Sequence, residues 1–217
     1  MNRTTTRMRL VLRVAAAFAL GLAVYGFASG PWLTVLAPLV SVMGAHTAFF
    51  IDQLAVEVLD GRMIRITGVL NLGATLVDGS MIPPLPGQWI KSGGPSMTVL
   101  LVAWVVFFFP DASPRRRAVL LIPLLMITAL VCAIDLVVEL QGTAIRGLLQ
   151  GGLETFTFRA DPINETINQR LVSRLKILEI GEAFMAGGGR LFFGVLAGLI
   201  PHGVTPAIYT RPSSPVS

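Results

Sequence analysis

Asp135 and Glu139 stand four residues apart in an otherwise uncharged run, AVLLIPLLMITALVCAIDLVVEL, over Ala118–Leu140. On a helix that spacing places both carboxylates on one face. Ionisable groups within a membrane helix are costly and often functional. The two acids therefore form a candidate intramembrane ionisable pair, suited to a cation or a proton. Ion pairing with Arg146 or Arg190 is the structural use of the same groups.

Cys132, on the same run, raises a second chemistry. A thiol protease needs a thiolate beside an imidazole, and the chain offers two histidines, His46 and His202. The alternative is that Cys132 packs as a small apolar residue. A single cysteine excludes an internal disulfide and every multi-cysteine metal motif. No Walker loop, dinucleotide-binding glycine fingerprint, HExxH or GxSxG occurs. The residues thus define no catalytic set, no metal ligands and no cofactor-binding motif. Asn164-Glu165-Thr166 matches a glycosylation sequon and is given no weight without a eukaryotic secretory context. Gly194 and Gly198 form a GxxxG pattern, in which small residues let two helices approach closely. They are candidate helix-packing residues.

The elements that position these groups follow from composition. Of 217 residues 53% are hydrophobic and 13% charged, with a mean hydropathy of +0.73. Soluble domains carry about 25% charged residues, so lipid is the expected solvent for much of the surface. The net charge of +5 and pI near 10.3 would suggest nucleic acid in a soluble protein. Here the arginines flank apolar runs, and membrane topology explains them better.

A span takes about 20 apolar residues. Four are expected, at about 11–28, 96–109, 118–140 and 184–200. Pro31–Ile51 is also long enough, but Pro38, Gly44 and His46 interrupt it. The basic N-terminus and the Arg115–Arg116–Arg117 triplet both favour the cytoplasm, and a crossing by Pro31–Ile51 would turn the triplet outward. That stretch is therefore expected to be an interfacial or re-entrant helix. Both termini are then cytoplasmic, in a bacterial inner membrane. Cleavage after Ala28, as in a signal peptide, is the competing reading, leaving three spans and an outer N-terminus.

Outer segments are expected at about 52–95 and 141–183. In the first, AVEVL-DG-RMIRIT has two alternating runs around Asp60-Gly61, a pair suited to a two-residue hairpin turn. That turn would put Val56, Val58, Met63 and Arg65 on one face, with Glu57, Leu59, Arg62 and Ile64 on the other. Asp78-Gly79 marks a second turn that could extend the hairpin to a small sheet. PPLPGQWIKSGGP reads as a loop into the second span, with Trp89 and Lys91 at the membrane interface. In the second segment, Asp161 as cap, Pro162 and Glu165 open an amphipathic helix. Ile163, Ile167, Leu171, Leu175 and Leu178 share its apolar face, Arg170 and Arg174 lie off it, and Lys176 and Glu179 are spaced to pair.

The fold class is thus mainly α: a polytopic membrane helix bundle of about four spans in one membrane domain. A small extracytoplasmic β-hairpin element and an amphipathic helix complete it. The order of parts resembles that of small membrane proteins associated with exosortase systems in Gram-negative bacteria. The pieces that carry the likeness are MNRTTTRMRLVLR, AVEVLDGRMIRIT, PDASPRRR and FFGVLAGLIP. The chain departs from the exosortase enzymes, which have more spans and a Cys/Arg/His site that does not map here. The resemblance implies an accessory protein of envelope protein sorting.

The expected function is a non-enzymatic accessory or assembly subunit of a bacterial envelope complex. Its partners would be the lipid bilayer and a membrane protein or a second copy of the chain, with no cofactor and no nucleic acid. A small transporter or channel component using Asp135 and Glu139 is the alternative, and a thiol protease using Cys132 is the third.

Overall fold

The computed structural model describes residues 3–48, 50–59, 63–108, 113–149 and 162–203. In chain order the elements are α1 (Arg3–Thr47), β1 (Ile51–Val58), β2 (Met63–Leu70), β3 (Leu85–Ser92), α2 (Thr98–Phe108), α3 (Pro114–Gly147), α4 (Pro162–Phe184), a π turn at Met185–Gly189, and α5 (Arg190–Gly203). They divide into two compact units. Unit 1 holds Met1–Ala28, Met97–Val131 and Arg190–Ser217; unit 2 holds Ser29–Ser96 and Cys132–Gly189.

Among the described residues, three helical stretches are long and apolar enough to cross a membrane: Val11–Thr47, Pro114–Gly147 and Pro162–Gly203. The apolar α2, with 11 residues, falls short of that length, as does α5 counted without α4. Three spans therefore meet the length criterion where four were expected.

The reading of Pro31–Ile51 as a separate broken helix is corrected. α1 runs through Pro31 and Pro38 without interruption to Thr47. Each internal proline costs about 3 kcal/mol. Leu33, Leu36 and Val40 are each only 1% exposed, and Ala37 is also buried. Burying such side chains contributes about 1.5–3 kcal/mol apiece, enough to offset both prolines, which sit on the exposed side.

In unit 1, α2 and α5 pack closely. A Cβ on Gly198 would stand 2.7 Å from the Ala103 carbonyl oxygen, and one on Gly194 2.7 Å from Val102 Cβ. Ala103, Phe107, Leu120, Leu124 and Ala197 form the core there. Helix ends are tied by side chains: His202 Nε2 donates to the Phe107 carbonyl at 3.0 Å, and Arg117 donates to the Phe108 carbonyl while lying over the Phe108 ring.

Unit 2 is built on a three-stranded antiparallel sheet in the order β1-β2-β3. The hairpin forms, but its register differs from the expected one. Val58 pairs with Ile64 and Glu57 with Arg65, and Leu59 N–H bonds the Met63 carbonyl. Three residues, not two, connect the strands; they lie outside the described residues. A slip of one residue turns a whole strand over. Ile64 and Ile66, each 2% exposed, therefore join Val56 and Val58 on the core face, and Arg65 joins Glu57 outside at 3.1 Å. Two mixed faces become one apolar face and one polar face. A bulge between Asp52 and Ala55, with Gln53 at φ 54, then brings Ile51 onto the core face as well.

Residues 85–92, expected as part of a loop, form β3. Its pairing with β2 puts Leu85, Gly87, Trp89 and Lys91 inward. Alternation of the ladder sends the Pro86 nitrogen to the open edge, where a missing N–H breaks no bond. The Asp78-Gly79 turn forms with Gly79 at φ 86, and Ser80 donates both its N–H and hydroxyl to Asp78. These bonds hold the Asp78 carboxyl below its ordinary range.

The amphipathic α4 begins at Pro162; Asp161, expected as its cap, lies outside the described residues. Leu171 and Leu178 are buried in a core with Phe50, Ile51, Leu70, Ile145 and Leu148, and Ile167 and Leu175 pack on it. Ile163, expected on the same face, is 56% exposed. At the other end Gly188 takes φ 134, a conformation that suits glycine, and the helix kinks there.

Candidate functional site

The second half of α3 carries a line of polar side chains at spacings of three and four: Cys132, Asp135, Glu139, Thr143 and Arg146. That spacing repeats one helix face, so the line runs along the helix within unit 2. Asp135 is 1% exposed and Glu139 6%. Buried charge is tolerated where it is paired.

The partners come from β3 and α4. Lys91 reaches Glu139 at 3.4 Å and lies 3.5 Å from the Thr143 hydroxyl, which donates to the Glu139 carbonyl at 2.8 Å. Arg146 makes a two-pronged pair with Glu182 at 3.0 and 2.9 Å. Gly142 leaves the room Glu182 occupies, since a Cβ there would strike its carboxylate. On the opposite side of α3, the buried Gln141 accepts from Arg174 at 3.0 Å and donates to the Thr47 hydroxyl, while Arg174 also donates to the Thr47 carbonyl.

Glu139 takes Lys91 as its cation, and Arg146 takes Glu182. Lys91 and Trp89, read as interfacial, face inward because β3 is a strand and alternate residues share a side. Sequence reasoning missed Glu182, although a signal was present. It continues the series Ile167, Leu171, Leu175, Leu178 by four, so it occupies the buried face of α4.

Cys132 is fully buried, and its thiol lies 3.5 Å from the Ser96 carbonyl. Each histidine ring bonds a backbone carbonyl: His46 Nδ1 that of Val42 at 2.8 Å, and His202 Nε2 that of Phe107. Gly194 and Gly198 lie against α2 of the same chain. Asn164 clamps the backbone of Thr75 with both ends of its amide, accepting at 3.0 Å and donating at 2.9 Å.

No protein family, curated protein or solved structure matches this chain. The arrangement must therefore be read from its own geometry. It fastens β3 and α4 to α3 through ion pairs around an apolar core, and it buries two carboxylates, one of them, Glu139, beside Lys91.

Proposed function

We propose that the protein is a non-enzymatic accessory or assembly subunit of a bacterial envelope complex, held in the inner membrane by unit 1. Unit 2 is its extracytoplasmic contact domain. The carrying observation is how the ionisable groups divide. Unit 1 contains nine arginines and a single acid, Asp111, whereas unit 2 contains eleven acids and eight basic residues. Clustered arginine favours the cytoplasmic end of membrane helices. In unit 2, Glu57, Glu139 and Glu182 are each engaged in an ion pair, a use that favours a folded binding domain over a reaction centre. On this reading the chain crosses four times with both ends cytoplasmic, and α2 and α5 complete the bundle. The order of parts, which resembles that of exosortase-associated proteins, supports a role in envelope protein sorting.

Mild solubilisation, purification and identification of co-purifying chains test the proposal. A stable complex with a membrane protein, or with a second copy, is expected; a monomer without partners would overturn it.

The second reading, a small transporter or channel component, is favoured by the near-complete burial of Asp135 and Glu139. Asp135→Asn and Glu139→Gln decide it. Unchanged cation and proton flux in vesicles, with assembly intact, removes the transporter.

A further inference from the structure

β1 is an edge strand, and the backbone groups on its outer side can be assigned. Leu59 N–H bonds the Met63 carbonyl and Glu57 pairs with Arg65. In an antiparallel ladder the inward-bonding residues alternate, so Leu59 and Glu57 bond to β2 while Val56 and Val58 point their N–H and C=O outward. Val56 N–H confirms the assignment: it donates to the Ser41 hydroxyl of α1 at 3.0 Å. The Val56 carbonyl and both groups of Val58 have no backbone partner among the described residues.

Those groups face a wedge between β1 and the second half of α1. The wedge is closed where Gly44 meets Leu54 and where Ser41 meets Val56. It opens towards Gly30 into a cleft of about 800 Å³, lined by Gly30 and Thr34 of α1 and by Val58, Leu59, Met63, Ile90 and the Glu57–Arg65 ion pair on the sheet side. The helix wall also carries a hydrogen-bond acceptor. Thr34 C=O would normally receive the N–H four residues on, but that residue is Pro38, which has none. Thr34 and Pro38 both line the narrower end of the wedge. Small side chains on α1 keep the space open, and the helix bears no charged residue from Val14 to Thr47. Glu57 and Arg65, at the mouth, neutralise each other.

A strand edge beside an uncharged helix, with donors and acceptors that no described residue engages and its one pair of charges neutralised, has the complement of one kind of partner. We infer that this wedge accepts an extended, uncharged segment of a partner polypeptide, which adds to β1 as a fourth strand. The segment bonds Val58 N–H and C=O and the Val56 C=O, and its side chains pass over Thr34 and Ala37. This inference rests on the accessory-subunit reading and names the surface through which it would act. Pairing with a partner also answers the liability of an open edge.

The test uses the full chain in its native membrane, with a photoreactive phenylalanine analogue replacing Met63 at the mouth of the wedge, or replacing Gln169 on the exposed side of α4 as the comparison site. Crosslinking from position 63 to an uncharged run of a partner chain is expected. Its yield should fall at least tenfold in Val58→Pro, which removes the outward N–H without touching the β2 ladder, and in Thr34→Trp, which fills the wedge. Val58→Ala should retain it. With the crosslinked run as a synthetic peptide, the Val58 amide should exchange at least tenfold more slowly in the purified protein. Crosslinks that persist in both blocking variants would overturn the inference, as would crosslinks to lipid or to this chain alone. Peptide binding without Val58 protection would do the same. Partner capture only from position 169 sinks the wedge and leaves the accessory subunit standing. A monomer that crosslinks to no polypeptide from either site sinks both.

Discussion

The two units are held together by opposite means. In unit 1 the described contact between α2 and α5 is made by absent side chains: Gly194 and Gly198 let backbones meet where a Cβ would fall within 3 Å of a neighbour. In unit 2 the contacts are made by large side chains and paired charges, with Leu171 and Ile145 fully buried and Arg146 gripping Glu182. With unit 1 in the membrane and unit 2 outside it, as proposed above, the difference follows from the solvent around each. Lipid offers no hydrophobic reward for bringing two apolar helices together, so close backbone packing must do it. Water rewards apolar burial directly.

If that contrast is right, the units should respond oppositely to changes in side-chain size. The largest effect is expected from Leu171→Ala, which empties the centre of the unit 2 core and should cost about 2–5 kcal/mol. Amide exchange by mass spectrometry should show the loss in β2 and α4, with α2 and α5 unaffected. Gly198→Leu is the mirror experiment. It drives a side chain into the Ala103 carbonyl and should cost about 1–3 kcal/mol or more, read as a lower melting temperature in detergent. The exposed Leu199→Ala should be nearly silent by the same measurement. A unit 1 that tolerated Gly198→Leu would break the comparison.

A smaller effect belongs to the Arg146–Glu182 pair. Both side chains are partly solvated, and a double-mutant cycle with Arg146→Met and Glu182→Gln should give a coupling of about 1 kcal/mol. Added salt should weaken it. The smallest effect is local. Because hydrogen bonds from Ser80 depress the Asp78 pKa, their contribution is fully present above the unfolded carboxylate value of about 3.9. It is lost as pH falls through the lower folded value. The Ser80 amide resonance should titrate with a midpoint below that of a free aspartate, and Asp78→Asn should abolish the titration.

What the chain revealed by itself was governed by local physics. Apolar length marked helices fit to cross a membrane, and the spacing of Ile163, Ile167, Leu171, Leu175 and Leu178 marked an amphipathic helix, all of whose apolar face but Ile163 packs on the core. Asp60-Gly61 marked two flanking runs as antiparallel partners, and Gly194 with Gly198 marked a close approach. Each of these depends on residues within a few turns of one another.

What escaped that reading depended on residues far apart. Whether Pro31 and Pro38 end a helix was decided by what Leu33, Leu36 and Val40 bury against. The hairpin register was decided by which slip put Ile64 and Ile66 into a core. β3 exists because β2 supplies its ladder, and only as a strand does residues 85–92 turn Lys91 towards Glu139. The candidate site changed most for that reason. Asp135 and Glu139 were legible as two acids on one helix face, but their burial and the lysine beside one of them were not. A charge on a helix is a local fact, whereas its partner is set by the tertiary packing that brings β3 and α4 against α3.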